Sequence, residues 1–101
     1  MTSPLPSRLY AIVDAGDDDR HDVVCRAEGL LRGGARLLQL RWKRAGAAAF
    51  LHAAVECRSL AARHHARLLI NDRIDVALAC GADGVHLGQA DLPLAAARRL
   101  L

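Results

Sequence analysis

The chain has 101 residues, of which 52% are apolar, so it can fold into one small domain and is unlike a disordered segment. Its formal net charge is only +3, and its Arg residues are scattered rather than clustered, so we expect no nucleic-acid partner. It has no apolar run of membrane-spanning length and no signal peptide, and its three cysteines form no CxxC pair. We therefore expect a cytoplasmic protein with free thiols and no membrane partner.

The first part of the chain predicts a strand followed by a helix. We expect residues 1–8 to be a polar leader and residues 9–101 to form the first half of one domain. The apolar run Leu9–Asp14 is typical of a buried parallel strand. Helical spacing of apolar residues predicts a helix over His21–Arg32, with the Asp residues at 17–19 at its amino end and Gly33 and Gly34 after it.

The same alternation continues to the end of the chain. Further predicted elements are a strand over Ala35–Lys43, a helix over Ala47–His65, a strand over Arg67–Asn71, a short helix over Ile74–Cys80 and a strand over Gly84–Gly88. Asp72 can cap the short helix, and Asp91 with Pro93 opens a last helix in which the chain ends. Strands that alternate with helices indicate parallel pairing, either in an open doubly wound sheet or in part of a (β/α)₈ barrel.

Three polar residues share one face of the second strand. Leu38, Leu40 and Trp42 point one way, so Gln39, Arg41 and Lys43 point the other way, near the carboxyl end where parallel β/α folds bind ligands. Arg can grip phosphate oxygens in a bidentate fashion, and Lys adds a point charge. A strand end with solvated side chains explains the same pattern. The pattern alone does not distinguish this interpretation from a ligand-binding site.

Two carboxylates follow the next two strands. The third strand ends in Asn71-Asp72, and the fourth leads into Asp91. Mg²⁺ prefers few carboxylates together with water and phosphate oxygens, which suits this pair. Capping of helix amino ends is the commoner role for such residues, but the two roles are compatible.

Together these segments are more specific than any one of them. The segments LYAIVD, QLRWK and LINDRIDVALACGADGVHLGQADLP resemble the pattern of the thiamine-phosphate synthase family, over nearly the whole chain from Leu9. The resemblance implies the first four β/α units of a (β/α)₈ TIM-type barrel. It also implies a transferase that joins hydroxymethylpyrimidine diphosphate to thiazole phosphate, giving thiamine phosphate and diphosphate. The related thiazole tautomerases share the fold.

The resemblance also implies roles for single residues. Gln39, Arg41, Lys43 and Asn71 would bind the pyrimidine diphosphate. Asp72 and Asp91 would hold Mg²⁺ against the diphosphate. Because diphosphate is the leaving group, metal and cationic side chains would stabilise its growing charge, so no side-chain nucleophile is expected.

The chain departs from the family in three respects. Trp42 stands where the family often has an acidic residue, but its side chain should point away from the site, and Arg44 extends the basic run. The family's second half, with the thiazole-phosphate site, has no counterpart in these 101 residues. We therefore expect the chain alone to be inactive and poorly stable, or to associate with itself or with a complementing half-barrel. A thiazole tautomerase and a non-catalytic remnant that binds Mg²⁺–diphosphate are the alternatives. His86 is expected to be a packed strand residue.

Overall fold

The fold is a parallel sheet with helices on one side, seen in a computed structural model that describes residues 10–87. Seven elements follow one another: β1 (Tyr10–Asp14), α1 (Arg20–Arg32), β2 (Leu37–Arg41), α2 (Ala47–Arg63), β3 (Arg67–Asn71), α3 (Ile74–Cys80) and β4 (Gly84–His86). The predicted leader, Leu9, the end of the fourth strand and the last helix with Asp91 lie outside the described residues.

The four strands pair in chain order, β1-β2-β3-β4, and every pairing is parallel. One row across the sheet aligns Ile12 with Gln39, Gln39 with Leu69, and Leu69 with Gly84. Helix α2 packs against both α1 and α3, so the three helices lie side by side on one face. A doubly wound sheet is marked by a point at which the strand order reverses. The four described strands show no such reversal.

The core lies between this helical layer and the sheet. Strand residues at alternate positions enter it, and so do the apolar faces of the helices. Its largest fully buried side chains are Val13, Val23, Leu31, Leu38, Leu40, Phe50, Cys57, Leu68 and Ile70. Leu38 and Leu40 confirm the alternation predicted for the second strand.

The other face of the sheet carries no helix in the described part of the chain. Tyr10 and Ile12 lie on it with 42% and 48% of their surface exposed. Leu37, Gln39 and Leu69 share this face by strand alternation. We call it the open face, and it holds apolar side chains near its middle and polar ones near the carboxyl ends of the strands.

Helix boundaries agree closely with the sequence patterns, with one correction. The side chain of Asp19 accepts a hydrogen bond from the Asp22 amide and caps α1, as an acidic residue there predicts. Asp72 does not cap α3, because its backbone has a φ of +62° and the capping position falls to Arg73. Among the described residues, no helix is both long and apolar enough to cross a bilayer.

Candidate functional site

Polar side chains gather where β2 and β3 end. The ammonium of Lys43, two residues beyond β2, lies 4.0 Å from the carboxylate of Asp72, which directly follows β3. A cleft of about 230 Å³ opens beside this pair and is lined by Trp42, Lys43, Phe50, Asn71, Asp72 and Arg73. The predicted Lys43, Asn71 and Asp72 are thus brought together in one cleft.

Arg41 lies at the same edge, as the last residue of β2, and its ion-pair partner lies on β1. Its Nε is 3.7 Å from a carboxylate oxygen of Asp14, its neighbour across the β1–β2 pairing. Both side chains are exposed, so this ion pair adds little to stability. The guanidinium is therefore accessible for an anionic ligand at the carboxyl end of the sheet.

Gln39 is buried on the open face and is not part of the cleft. Its side chain is only 3% exposed, and its amide donates a 2.6 Å hydrogen bond to the hydroxyl of Tyr10. Tyr10 starts β1, so this contact draws the amide toward the amino end of the sheet. The sequence pattern placed Gln39 on the correct face but gave no sign of its tyrosine partner.

The backbone at Asp72 has an unusual conformation. Its φ of +62° lies in the left-handed region, which residues other than glycine adopt at a cost of roughly 1 kcal/mol. Its N–H donates a 2.7 Å hydrogen bond to the carbonyl of His86 at the end of β4. The conformation lets the chain turn sharply out of β3 while the carboxylate stays near Lys43.

Asn71 and His86 form a second cross-strand pair near the site. Asn71 is only 4% exposed, and its Oδ1 lies 3.3 Å from Nδ1 of His86, opposite it in β4. The expectation that His86 is packed inside its strand is wrong, because this side chain is exposed at the open face. His86 lies opposite Asn71 in the β3–β4 pairing and so shares its face of the sheet.

Two aromatic side chains, Trp42 and Phe50, line the cleft on the side of the helices. Trp42 is buried and packs near Phe50, with ring centroids 6.4 Å apart, and its indole N–H donates to the Gly16 carbonyl at 3.1 Å. The alternation predicted for the second strand holds, since Trp42 is buried on the core side, but the expectation that it points away from the site is wrong, because Trp42 lines the cleft. The indole also ties the loop after β2 to the loop after β1, which holds the ends of both strands in register.

The oxygen donors at the site match a hard cation in their chemistry. The Asp72 carboxylate and the Asn71 amide oxygen are the ligand types that Mg²⁺ takes, and Mg²⁺ keeps several waters and substrate oxygens besides. Within residues 10–87, no three His, Cys, Asp or Glu side chains come together as a metal-binding group. Of the two predicted metal ligands, Asp72 lines the cleft, and Asp91 lies outside the described residues.

Comparison with known proteins gives a consistent result. The family described as thiamine monophosphate synthase matches residues 9–101. The chain is 60% identical over 74 residues to the thiamine-phosphate synthase of Methanospirillum hungatei, covering 73% of this chain and 36% of that protein. It is 57% identical over 95 residues to the thiamine-phosphate synthase of Gloeobacter violaceus, covering 94% of this chain and 27% of that protein.

A solved structure shows the same fold. The thiamine phosphate pyrophosphorylase of Pyrococcus furiosus superposes with a TM-score of 0.80 at 34% identity, over 92% of this chain and 46% of that chain. The chain thus spans less than half the length of these three relatives. The match over residues 9–101 and the shared fold lead to one conclusion: this chain belongs to the thiamine monophosphate synthase family.

Proposed function

We propose that the chain carries the Mg²⁺–pyrimidine diphosphate half of a thiamine-phosphate synthase site. The complete reaction would join hydroxymethylpyrimidine diphosphate to thiazole phosphate and release diphosphate. The observation that carries this proposal is the meeting of Lys43 and Asp72 across the ends of neighbouring strands, with Arg41 at the same edge. Two cations for phosphate oxygens and a carboxylate for a metal ion are the groups that a metal–diphosphate needs.

Each side chain has a separate part in this proposal. Arg41 and Lys43 would bind diphosphate oxygens and stabilise the charge that grows on them as the bond to the pyrimidine carbon breaks. Asp72, together with Asp91, would hold Mg²⁺, which when bound would neutralise the leaving diphosphate. Asn71 would contact the pyrimidine diphosphate as a neutral hydrogen-bonding group, since its amide is held in place by His86.

Gln39 is proposed to contact the pyrimidine through the polar atoms that its hydrogen bond to Tyr10 leaves unused. An amide that donates to Tyr10 through Nε2 retains a carbonyl oxygen and a second N–H for a ligand. Gln39 lies one row farther from the carboxyl edge of the sheet than Arg41. A pyrimidine ring above Gln39 and a diphosphate above Arg41 would therefore follow the direction of the strand.

We further propose that the four units belong to a (β/α)₈ barrel. Pairing in strict chain order with helices on one face is the arrangement of a barrel wall, and the open face would be its interior. The remaining units would cover Tyr10, Ile12 and Leu69, and would supply the thiazole-phosphate site. Further residues of the same chain, a second copy or a complementing half-barrel would each meet that need, and catalysis is expected only when it is met.

The substrate class can be tested by calorimetric titration of the 101-residue chain in the presence of Mg²⁺. We expect binding of hydroxymethylpyrimidine diphosphate that weakens roughly tenfold or more in Arg41→Ala, since a charge-assisted bond contributes about 1.5–3 kcal/mol. Arg36→Ala is the matched control, because Arg36 precedes the same strand at its opposite end and, among the described contacts, its guanidinium bonds only the neighbouring carbonyl of Ala35.

The other outcomes of this titration bear on the alternatives. Absence of diphosphate binding by the folded chain would favour a tautomerase, which performs no diphosphate chemistry and whose thiazole-phosphate site would lie in the second half. Equal weakening in Arg41→Ala and Arg36→Ala would remove Arg41 from the site. A remnant that binds Mg²⁺–diphosphate would bind as the synthase half does, and would differ only in showing no catalysis once the remaining units are supplied.

A further inference from the structure

We propose that Arg73 is a positioning residue, which fixes the turn after β3 so that the Asp72 carboxylate faces the cleft. The role of Asp72 toward Mg²⁺ is part of the function proposed above, and this inference rests on it. The placement of Asp72 itself is a property of the fold and can be measured without any ligand.

The guanidinium of Arg73 is held on two sides. Its Nε and Nη2 donate to the two carboxylate oxygens of Asp75 at 3.0 and 2.8 Å, which is a bidentate pair with defined geometry. Its Cζ lies 5.9 Å from the ring centroid of Phe50, a residue that is almost completely buried in the core. The paired charges also shift both groups, since the hydrogen bond to Asp75 raises the pKa of Arg73 and lowers the pKa of Asp75.

The backbone of Arg73 is held as well. It occupies the position before α3, and its carbonyl accepts a 3.0 Å hydrogen bond from Ala77 in the first turn of that helix. On the other side, the N–H of Asp72 is bonded to the carbonyl of His86. The two-residue segment Asp72-Arg73 is therefore held at one end by β4 and at the other by α3, and the Arg73 side chain ties this segment to α2 through Phe50.

This support matters because Asp72 is in a conformation that it would not adopt freely. A left-handed φ in a non-glycine residue persists only where its surroundings enforce it. Without the Arg73 anchor, the turn can relax toward negative φ, and this change would swing the Asp72 carboxylate away from Lys43. An ordinary surface ion pair would have little effect on the conformation of the backbone. The Arg73–Asp75 pair differs because it directly follows the strained residue Asp72.

The first test is amide hydrogen exchange at Asp72, measured by NMR. In Arg73→Ala we expect exchange at the Asp72 amide to accelerate roughly fivefold or more, since loss of about one hydrogen bond's worth of support opens the turn. Arg73→Lys should behave similarly, because an ammonium cannot make the bidentate pair. The matched control is Arg58→Ala, since Arg58 bonds the Gly81 carbonyl at the far end of α3.

The second test is a double-mutant cycle with inorganic diphosphate as the probe. We expect Arg73→Ala to weaken Mg²⁺-dependent diphosphate binding roughly fivefold, and to have no further effect once Asp72→Asn is present. Metal-free diphosphate binding should not weaken in Arg73→Ala, because Arg41 and Lys43 are untouched.

Two results would overturn the inference. One is unchanged exchange at the Asp72 amide in Arg73→Ala, or an acceleration equal to that in Arg58→Ala. The other is an effect of Arg73→Ala that persists in the Asp72→Asn background, which would make Arg73 a ligand contact instead. If the wild-type chain binds no Mg²⁺–diphosphate, the proposed function fails, while the exchange result still decides whether Arg73 positions Asp72.

Discussion

The ammonium of Lys43 and the carboxylate of Asp72 lie 4.0 Å apart, across the ends of two neighbouring parallel strands. Lys43 is mostly exposed, whereas Asp72 is largely covered, so the lysine is free to move toward a ligand and the aspartate is held. In such a pair, the ammonium can bind an anionic ligand directly, and the carboxylate can bind a metal ion. Substitutions of Lys43 and of Asp72 should therefore have different effects on diphosphate binding with and without Mg²⁺.

Lys43→Ala should weaken diphosphate binding with little change in stability. Loss of one exposed point charge near the anion should weaken binding about threefold to tenfold, with or without Mg²⁺. The free energy of unfolding should change by less than about 1 kcal/mol, as for other exposed ion pairs. Calorimetry and urea unfolding check both parts. Arg44→Ala is the neighbouring control, since Arg44 pairs with Asp17 in the loop after β1, and an equal loss in that variant would argue against a specific role for Lys43.

Trp42→Phe should destabilise the fold by about 1–3 kcal/mol. The substitution leaves an aromatic ring near Phe50 but removes the donor to the Gly16 carbonyl and part of the buried volume. Urea unfolding followed by circular dichroism measures the loss. Val55→Ala is a suitable comparison, because Val55 is a half-exposed apolar residue on α2 and should cost much less. Equal stability of Trp42→Phe and the wild-type chain would contradict the proposed link between the two loops.

Cys57 should make the fold less stable at alkaline pH. Burial, followed by the charges of Glu56 and Cys80, raises the pKa of the Cys57 thiol from 9.0 to about 12. Below pH 9 both folded and unfolded chains hold this proton, so the group causes no pH dependence there. Between about pH 9 and 12 the unfolded chain loses the proton first, so stability falls as pH rises.

The control for this pH dependence is Cys57→Ala. That variant should be less stable at neutral pH because it leaves a small cavity, but its stability should fall less steeply above pH 9. Unfolding by urea at several pH values compares the two proteins. Parallel pH profiles of the two proteins would show that Cys57 is not the titrating group.

The three thiols should react at different rates. Cys25 is exposed on α1, Cys80 is partly buried with a pKa raised chiefly by burial, and Cys57 is fully buried. A thiol reagent such as iodoacetamide should therefore label Cys25 first, Cys80 more slowly and Cys57 only after unfolding. Peptide mapping by mass spectrometry identifies the labelled residue. Rapid labelling that survives in Cys25→Ser would contradict the burial of the other two.

Much of this fold follows from sequence periodicity. Leu38 and Leu40 enter the core because residues two apart share a face of a strand, and that rule also placed Arg41 on the open face. Gly34, with a φ of +109°, ends the first helix region as a Gly-Gly pair predicts. These features depend on local geometry, which is why a single sequence is sufficient to predict them.

The details of the site depend on contacts between distant residues and could not be predicted in this way. The helix-capping role expected for Asp72 failed because Asp72 is in the left-handed region, where its N–H bonds His86, fourteen positions along the chain. The tyrosine partner of Gln39 lies on another strand, and the anchoring of Arg73 requires Phe50 from another helix. Only the assembled sheet and helical layer bring these pairs together.

The most direct test of the Mg²⁺–diphosphate site is the affinity of Asp72→Asn for inorganic diphosphate, measured with and without Mg²⁺. With Mg²⁺, we expect binding to weaken about tenfold or more, since one metal ligand is lost. Without Mg²⁺, we expect binding to strengthen about twofold to fivefold, because a negative charge beside the anion has been removed. Opposite signs in the two conditions would support a metal ion held by Asp72. An Asp72→Asn effect that is the same with and without Mg²⁺ would contradict it.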